Sequence, residues 1–565
     1  MLSRKFQAAV LVIGAIAFGG SLTGCSSSSD PEVISDYVTK NALEINGRIV
    51  DATTGDPIDG VAVTVSGADA ASIDATSADA LPGGIVTYSA DKQELSVTFL
   101  ARKDGYLDTG IELSTKDSDQ AEFVIRMVKV DNPPVGTAVA QEDIKDKVDS
   151  SGAVSSEIKV SAKVTNSSNV NNEQTEIVIP AGTDLLDKEG NPVTGELKVT
   201  VAHHSANEES STEAFPGGFA VIAETSAPNA ANSVEEEIVF VTAGFTSISI
   251  ENENGDKVRQ FGTNDIEVKM QIKEGTINPD TGVAIAIGEN VPVWSYDEDT
   301  GKWSYEQQGS VQDLNPTDGF YDVVVQASHL SYWNLDWHYS AVCRANLKLN
   351  VVDSQNQLVT GETIFLRANF TGSSGYLYSG YIRNDGYADL RNVPLNKQMN
   401  IVARYQNASG TVLGSKTVTV TQAMCNAGTP ITLQINNTQI PVKRPVTVKA
   451  KSICANGEVD NDNLVLRTYL YADGRYLSSG YTPLTSNALE GSQLKSYVYK
   501  RSIQNGTIDG TDYYGYYSTK ELTVGSSAAN NIINYTVTLD GNTQKCIDAA
   551  ANTGTTGATD LNTNQ

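Results

Sequence analysis

Residues 45–65 read INGRIVDATTGDPIDGVAVTV and set a pattern that the rest of the chain repeats. Apolar and polar side chains alternate in residues 45–51 and again in residues 58–65, and a Gly55-Asp56-Pro57 turn separates the two runs. Alternation with period two is typical of a strand with one buried face, and these turn residues favour tight reversals. The stretch therefore predicts two strands joined as a β-hairpin.

Short runs rich in Val, Ile, Thr and Tyr recur along all 565 residues, while helical periodicity is almost absent. We therefore expect an all-β chain of tandem β-sandwich domains, transthyretin-like or immunoglobulin-like, with little helix. The expected divisions are a signal peptide (1–24), a tether (25–42), a sandwich (43–130), a linker (131–149), a β module (150–342), two further sandwiches (343–435 and 446–548) and a disordered tail (549–565).

The charge of the chain excludes one large class of partner. It carries 68 acidic and 40 basic side chains, a formal net charge of −28. Because nucleic-acid backbones are anionic, we expect no nucleic-acid partner. Residues 341–565 hold 19 basic and 15 acidic side chains, so the excess negative charge lies in residues 1–340. We expect an acidic stalk that holds a near-neutral half away from a membrane.

The first 25 residues predict how the chain reaches that membrane. Arg4 and Lys5 precede an apolar run, Ala8–Phe18, which is too short to span a bilayer and is typical of a signal peptide. Leu22-Thr23-Gly24-Cys25 resembles the bacterial lipobox. The resemblance implies cleavage before Cys25 and lipidation of its thiol, and Ser26 favours the outer membrane of a Gram-negative host. The cell surface and the periplasmic face both remain possible.

The other four cysteines are Cys343, Cys425, Cys454 and Cys546, all in the second half. An exported chain meets an oxidising compartment, so two disulfides are expected. Three pairings are possible, and we favour Cys343–Cys425 and Cys454–Cys546 because each pair would bracket one domain-sized segment. A metal site is a weaker interpretation, since no two cysteines are close in sequence and the chain has only four histidines.

The first domain resembles a known family, the carboxypeptidase regulatory-like domain, which is a small transthyretin-like sandwich. The resemblance rests on the predicted strands in residues 45–65 together with Phe99, Gly105 and Tyr106. The resemblance implies a rigid extracellular module, in a fold class that includes carbohydrate-binding relatives. The catalytic domain of carboxypeptidases has no counterpart in this sequence. Residues 351–361 resemble the start of the same kind of sandwich.

Residues 291–296 (VPVWSY) and 329–334 (HLSYWN) resemble parts of the ectodomain module of cartilage intermediate layer proteins and of bacterial surface relatives. His329-Leu330-Ser331 is also similar to the tripeptide at which some adhesion-receptor modules cleave themselves. In that case Ser331 would attack the carbonyl of Leu330 while His329 acts as the base, and the cut would fall between Leu330 and Ser331. The alternative, which we favour, is packing at the closing strand of the domain.

The last two domains carry the signature of a duplication. Residues 366–367, 376–377 and 379–381 recur at an offset of 100 residues as 466–467, 476–477 and 479–481. Of 24 tyrosines, many fall in this half, where they would either fill the pleat of a sheet or form a stacking surface for sugars or a protein partner. The candidates for such a surface are Tyr376, Tyr381, Tyr476, Tyr481, Tyr513, Tyr514, Tyr516 and Tyr517.

Few residues offer catalytic or metal chemistry. His203 and His204 are adjacent on a predicted strand, so their side chains should point to opposite faces and not clamp one metal. The acidic turns at 297–299 and 460–463 could bind calcium, although solvated turns are the better interpretation. We expect no cofactor beyond this possible structural calcium. Neither a Gly-x-Ser-x-Gly, a phosphate-binding glycine loop nor a His-Glu-x-x-His motif occurs, so we do not expect an enzyme.

These observations predict a non-catalytic, lipid-anchored cell-envelope protein that presents β-sandwich domains for adhesion to carbohydrate, matrix or protein. A second hypothesis is a periplasm-facing scaffold or an accessory subunit of an envelope complex. A third is a self-cleaving module at Leu330-Ser331.

Overall fold

The computed structural model describes most of the chain between residues 43 and 539. The described residues are 43–74, 80, 84–115, 120–226, 234–262, 264–298, 300–345, 347–359, 364–370, 375–382, 386–390, 392–405, 410–436, 442–455, 457, 459–473, 475–499, 506–509, 511–513 and 517–539. Within these ranges nearly every element is a strand, which confirms the all-β prediction. No helix in the described part of the chain is long and apolar enough to cross a membrane.

The first domain is a two-sheet sandwich. One sheet has the order β3-β4-β1-β7 and the other β2-β5-β6, and they enclose a core that includes Ile45, Val63, Phe99 and Phe123. Its elements are β1 (Leu43–Asp51), β2 (Ala62–Ser66), a 3₁₀ turn (Ala70–Ser72), β3 (Ile73–Asp74), β4 (Ile85–Ala90), β5 (Leu95–Arg102), β6 (Thr109–Thr115) and β7 (Gln120–Met127).

The predicted hairpin in residues 45–65 is wrong. The chain does reverse at the Gly-Asp-Pro turn, where Val50 bridges Pro57, but β1 and β2 belong to opposite sheets. The reason is that both edges of β1 are occupied, by β4 in antiparallel and by β7 in parallel orientation. The second strand must therefore cross to the other sheet, where it pairs with β5.

The second domain is one continuous eleven-stranded sheet that folds over on itself. Its order is β8-β12-β14-β20-β17-β18-β19-β16-β10-β9, with β13 beside β14 and β18. The elements are β8 (Thr137–Asp143), a 3₁₀ turn (Lys145–Lys147), β9 (Ile158–Lys163), β10 (Gln174–Ile179), β11 (Leu185–Leu186), β12 (Lys198–Ser205), α1 (Glu209–Thr212), β13 (Ala220–Glu224), β14 (Glu235–Glu251), β15 (Gln260–Phe261), β16 (Ile266–Lys273), β17 (Asn290–Asp297), β18 (Lys302–Gln312), β19 (Phe320–Ala327) and β20 (Tyr332–Tyr339).

The segment expected to be a linker, residues 131–149, is part of this second domain. Its strand β8 pairs with β12 along seven residues, from Lys198 opposite Asp143 to His204 opposite Thr137. The Asn132-Pro133-Pro134 sequence that suggested a linker occupies only the entry to that strand. Two prolines interrupt a strand but do not prevent one from starting immediately afterwards.

The third and fourth domains are again two-sheet sandwiches. The third contains β21 (Val342–Cys343), β22 (Leu347–Val352), β23 (Ile364–Phe370), β24 (Tyr376–Tyr381), β25 (Tyr387–Leu390), β26 (Val393–Pro394), β27 (Gln398–Tyr405), β28 (Val412–Thr419), α2 (Gln422–Ala427) and β29 (Ile431–Gln434). The fourth contains β30 (Lys443–Cys454), β31 (Val459–Asn461), β32 (Arg467–Ala472), β33 (Arg475–Tyr481), β34 (Leu484–Leu489), β35 (Gln493–Tyr499), β36 (Gly506–Ile508), β37 (Thr511–Tyr513), β38 (Tyr517–Thr523), a 3₁₀ turn (Ala528–Asn530) and β39 (Ile532–Leu539).

The three sandwiches share a topology. In each, one long strand lies between an antiparallel neighbour and a parallel neighbour that is the last strand of the domain: β1 with β4 and β7, β22 with β25 and β29, and β30 with β34 and β39. The repeated residues do not pair identically, since Gly380 lies opposite Leu366 while Gly480 lies opposite Thr468. A shift of two residues keeps every side chain on its own face, so both pairings preserve a buried core.

Cys343 and Cys425 form a disulfide, as predicted, with a Cα–Cα distance of 5.6 Å. The bond ties the entry of the third domain to α2, which is capped by the Thr421 hydroxyl and ends at Gly428 in the left-handed conformation. Cys454 is also disulfide-bonded. Its predicted partner, Cys546, lies outside the described residues, so that pairing stays a prediction.

The fourth domain packs against the first, which the expectation of a stalk with the near-neutral half at its far end did not include. Ile85 of β4 forms one buried cluster with Tyr469, Tyr471 and Tyr497. In the same contact the Thr87 and Tyr471 hydroxyl groups are 2.8 Å apart and hydrogen-bonded. Burial of these aromatic rings stabilises the contact. The first and fourth domains of the described chain therefore touch.

We expect the Cys343–Cys425 disulfide to be required for the stability of the third domain. Replacing both cysteines by serine should lower its free energy of unfolding by about 2 to 5 kcal/mol, because the unfolded chain regains the freedom of an 82-residue loop. Chemical denaturation of the full chain would measure this. An unchanged midpoint would contradict the expectation, and Ser415→Ala on exposed β28 is a matched control.

Candidate functional site

The short helix α1 is the place where three domains meet. Glu213, which follows this helix, forms an ion pair with Arg126 of the first domain, with 3.1 Å between Arg126 Nε and the carboxylate. The same carboxylate forms an ion pair with Arg367 of the third domain and accepts a hydrogen bond of 2.7 Å from the Ser379 hydroxyl. A second acidic group, Glu209, lies 2.7 Å from Arg367 Nε. Two arginines and two glutamates thus neutralise one another at the junction.

Burial makes this junction sensitive to the loss of any member. The side chains of Arg126, Glu213 and Arg367 are only 14%, 8% and 3% exposed. Desolvation lowers the pKa of Arg367 from its ordinary value, while the nearby Glu209 acts in the opposite direction. An unpaired charge in such surroundings is strongly unfavourable.

An aromatic cluster supports the junction from within the second domain. Phe215 stacks on Phe219 and on Trp303 at centroid distances of 4.1 and 5.0 Å. The cluster reaches the neighbouring domains, since Tyr376 of the third domain packs edge-on against Phe219 and the Tyr332 hydroxyl donates to the backbone carbonyl of Asp108 in the first. Its buried members are Phe215, Phe219, Val221, Ala223, Ile238, Phe240, Phe245, Trp294, Tyr296, Trp303 and Tyr332.

The contact between the first and second domains depends on close backbone approach. The Gly217 amide donates to the Gly110 carbonyl at 3.0 Å, and the Thr98 hydroxyl donates to the Thr300 carbonyl at 3.1 Å. Gly301 has a φ of +73°, and a Cβ there would lie 2.1 Å from the Thr98 hydroxyl. Glycine is therefore required at this position by both its conformation and its neighbour.

Beside this contact lies an open polar cavity of about 1130 Å³, here called the interdomain cleft. The first domain contributes residues 102–108 and Val130, and the second contributes the outer face of β8, β12 and β14 with the turns around Glu189 and Asn254. Asp108 pairs with Arg102 at 3.0 Å and with Lys257 across the domain boundary. Arg259 pairs with Glu298 at 3.2 Å. The cleft is thus hydrophilic and largely neutralised.

The floor of the interdomain cleft is a row of small polar side chains. Thr200 of β12 lies opposite Gln141 of β8 on one side and Ser249 of β14 on the other. The Gln141 side-chain amide donates to the Thr200 hydroxyl at 3.1 Å. Because β12 pairs on both sides, its backbone groups are occupied, and side chains are what this part of the floor offers to a ligand.

His203 and His204 lie on opposite faces of β12 and have different neighbours. His203 contacts the buried Thr175 hydroxyl at 3.0 Å and lies 3.5 Å from the Glu173 carboxylate. His204 stacks on Phe245 with a centroid distance of 4.2 Å. Burial, together with the neighbouring His203, lowers the pKa of His204 to about 3. Both histidines are enclosed in structural contacts.

His329 and Ser331 have separate partners. His329 lies 3.3 Å from the Glu306 carboxylate and stacks on Trp333, while the buried Ser331 hydroxyl donates to the Tyr332 carbonyl at 2.9 Å. These contacts place both side chains in the packing of β20. Self-cleavage between Leu330 and Ser331 stays an untested hypothesis.

The predicted tyrosine candidates do not form one exposed surface in the described residues. Tyr376 packs against Phe219 and lies under the Arg367 guanidinium, and Tyr381 packs edge-on against Phe365. Tyr481 is half-buried under Arg467. For three more candidates the structure describes the strand but not the side chain: Tyr476, Tyr513 and Tyr517. The last two, Tyr514 and Tyr516, lie outside the described residues.

The acidic turns show structural contacts where they are described. Glu298 is buried against Arg259, and the Asn461 side chain accepts a hydrogen bond from the Asn463 amide. Asp299 lies outside the described residues. Within the described residues, no group of three or more His, Cys, Asp or Glu side chains is arranged to hold a metal ion.

The junction at Glu213 is the functional feature that sequence patterns did not identify. One signal was present: Arg367 interrupts the otherwise apolar run from Ile364 to Ala368, where a charged side chain requires a partner if it is buried. The partner lies 154 residues earlier, and no local pattern could have named it.

The chain matches no protein-family model and no curated protein. Among solved structures, the Bacillus anthracis TIE protein is 12% identical over 57% of this chain and 56% of that chain, with a TM-score of 0.14. The chain thus spans little more than half the length of that protein. A Streptococcal ancillary pilin is 12% identical over 44% of this chain and 92% of that chain, with a TM-score of 0.14. BcpA, the major pilin subunit of Bacillus cereus, is 8% identical over 88% and 99%, also with a TM-score of 0.14. These TM-scores are too low for any of the three proteins to guide conclusions about this chain.

We expect Glu213→Gln to weaken the contacts among the first three domains, so that these domains unfold less cooperatively. The substitution leaves Arg126 and Arg367 with one less carboxylate, which should cost about 3 kcal/mol of stability. Calorimetry should show an earlier, broader unfolding transition. Glu142→Gln is the matched control, because its ion pair with Lys147 is more than a third exposed and should contribute at most about 1 kcal/mol. Equal effects of the two substitutions would contradict the expectation.

We expect His204 to destabilise the fold in acid. Its pKa is about 3 when folded and 6.5 when unfolded, so below pH 6.5 the unfolded state binds the proton first. The free energy of unfolding should therefore fall by roughly 1 kcal/mol per pH unit from pH 6.5 towards pH 3 because of this residue.

His204→Phe should remove that part of the pH dependence while keeping the stacking on Phe245. Denaturant titrations at a series of pH values would measure the slope, with His329→Gln as the control at a less buried histidine. A slope between pH 6.5 and 4 that is the same in His204→Phe and the parent chain would show that His204 does not carry it.

Proposed function

We propose that the chain is a non-catalytic, lipid-anchored protein of a bacterial cell envelope, whose four β domains together present binding surfaces for a carbohydrate, a matrix or a protein. The observation that carries this proposal is the Cys343–Cys425 disulfide in a chain with a signal-like leader. Stable disulfides form in oxidising compartments, which is where such a leader would deliver the protein.

The disposition of the titratable residues supports the non-catalytic part of the proposal. Catalytic groups need access to a substrate and a pKa suited to proton transfer. The histidines on β12 are enclosed, and His329 is held by Glu306 and Trp333. The buried Asp336 has a pKa raised by desolvation, but its carboxylate bonds to Asn334 inside the domain.

The contact between the first and fourth domains bears on the periplasmic alternative. A protein whose first and fourth domains touch would reach less far from a membrane than one with its four domains in a line. This contact supports the alternative of a periplasm-facing scaffold or an accessory subunit of an envelope complex. Protease treatment of intact cells distinguishes the cell surface from the periplasmic face, since a periplasm-facing protein should survive it.

We expect Cys25→Ala to abolish lipid attachment. Cells fed a clickable palmitate analogue should label the parent chain and not the variant, which should keep its leader and run as a larger precursor. Ser28→Ala in the same tether is the matched control and should label normally. Labelling of Cys25→Ala, or an unlabelled parent chain, would contradict a lipid anchor at this residue.

A further inference from the structure

We propose that the interdomain cleft binds an uncharged polysaccharide. The inference rests on the proposed envelope function and names the ligand class and the site. The cleft is formed by two domains whose relative position is fixed by the Gly217–Gly110 and Tyr332–Asp108 hydrogen bonds. Sites at domain boundaries with a preformed shape are common places for ligands, because little ordering is needed on binding.

The charges around the cleft oppose binding of a polyanion. Its lining holds both signs in similar number, and the best-placed groups already neutralise one another. Asp108 is shared by Arg102 and Lys257, and the Arg259 guanidinium pairs with Glu298. A polyanion would meet these acids and the overall charge of −28. A neutral ligand rich in hydroxyl groups meets no such penalty.

The chemistry of the floor favours a sugar over an extended peptide. Peptides that add to a sheet need a free strand edge, whereas the floor is a sheet face centred on β12, which pairs with β8 on one side and with β14 on the other. The side chains that line this face include the polar uncharged groups of Gln141, Thr200, Ser247 and Ser249, with Lys198 opposite Glu251 at one end. Hydroxyl and amide groups of this kind both donate and accept, which suits the hydroxyl groups of a glycan.

The first domain adds an aromatic ring to the opposite wall. Tyr106 lines the cleft and is half-buried, and its hydroxyl donates to the Asp51 carboxylate at 3.2 Å. A ring held in this way loses little conformational freedom when a ligand stacks on it. The cleft therefore combines a polar floor with one aromatic side chain in its wall, and such groups match the polar edges and the apolar face of a sugar ring.

The test uses the purified full chain and native gels containing dextran, laminarin, xylan or a glucomannan, with polygalacturonate as the anionic comparison. Binding to a neutral polymer should retard the parent chain. Ser249→Trp, which fills the floor of the cleft, should reduce the retardation at least tenfold in apparent affinity. Ser310→Trp is the matched control on exposed β18, outside the cleft, and should bind as the parent does.

A second pair of variants, both at Tyr106, tests whether a sugar ring stacks on this side chain. Both substitutions keep an apolar side chain in the wall of the cleft. Tyr106→Phe keeps the ring and should bind within about threefold of the parent, whereas Tyr106→Leu keeps apolar volume only and should bind at least tenfold more weakly. Thermal unfolding of all variants identifies any that fail to fold.

Three results would overturn the proposal: no retardation by any neutral polymer, retardation that Ser249→Trp leaves intact, or capture of an extended peptide library in place of the glycans. Each result is distinct from failure of the proposed function, because lipid labelling at Cys25 and cell location are measured without a ligand.

Discussion

The carboxylate of Glu213 is the interaction on which the arrangement of this protein depends. It directly follows a four-residue helix of the second domain, yet its ion-pair partners are Arg126 in the first domain and Arg367 in the third. Each arginine is mostly removed from water and therefore needs that carboxylate in place. This acidic side chain thus links three domains. Backbone and side-chain hydrogen bonds between the first and second domains act beside it, and the aromatic cluster around Phe215 and Trp303 supplies the apolar burial.

Fixed domain positions have consequences at both ends of the molecule. The fourth domain also contacts the first through Tyr471 and Thr87, so several tyrosines of the second half lie in contacts between domains. Fixed domain positions also shape the interdomain cleft, because its walls come from the first and second domains. The shape of a binding site made from two domains is fixed only if the contact between those domains is fixed.

Much of the local structure was predictable from sequence. Period-two alternation identified the strands, and the bracketing of one domain identified Cys343–Cys425. Which strands pair was harder to predict. Residues 45–65 predict a hairpin, but both edges of β1 are occupied by other strands, one of which is the last strand of the domain. Such long-range competition for strand edges leaves no local trace. For the same reason the cleft and the partners of Glu213 were not predictable, since each joins residues far apart in sequence.

Small-angle X-ray scattering of the full chain, with and without Glu213→Gln, tests the central claim that this carboxylate holds the domains in one closed assembly. We predict a compact distance distribution for the parent chain and a larger radius of gyration, with a longer maximum dimension, for the variant. An extended, rod-like profile for the parent chain, or identical profiles for the two proteins, would contradict it.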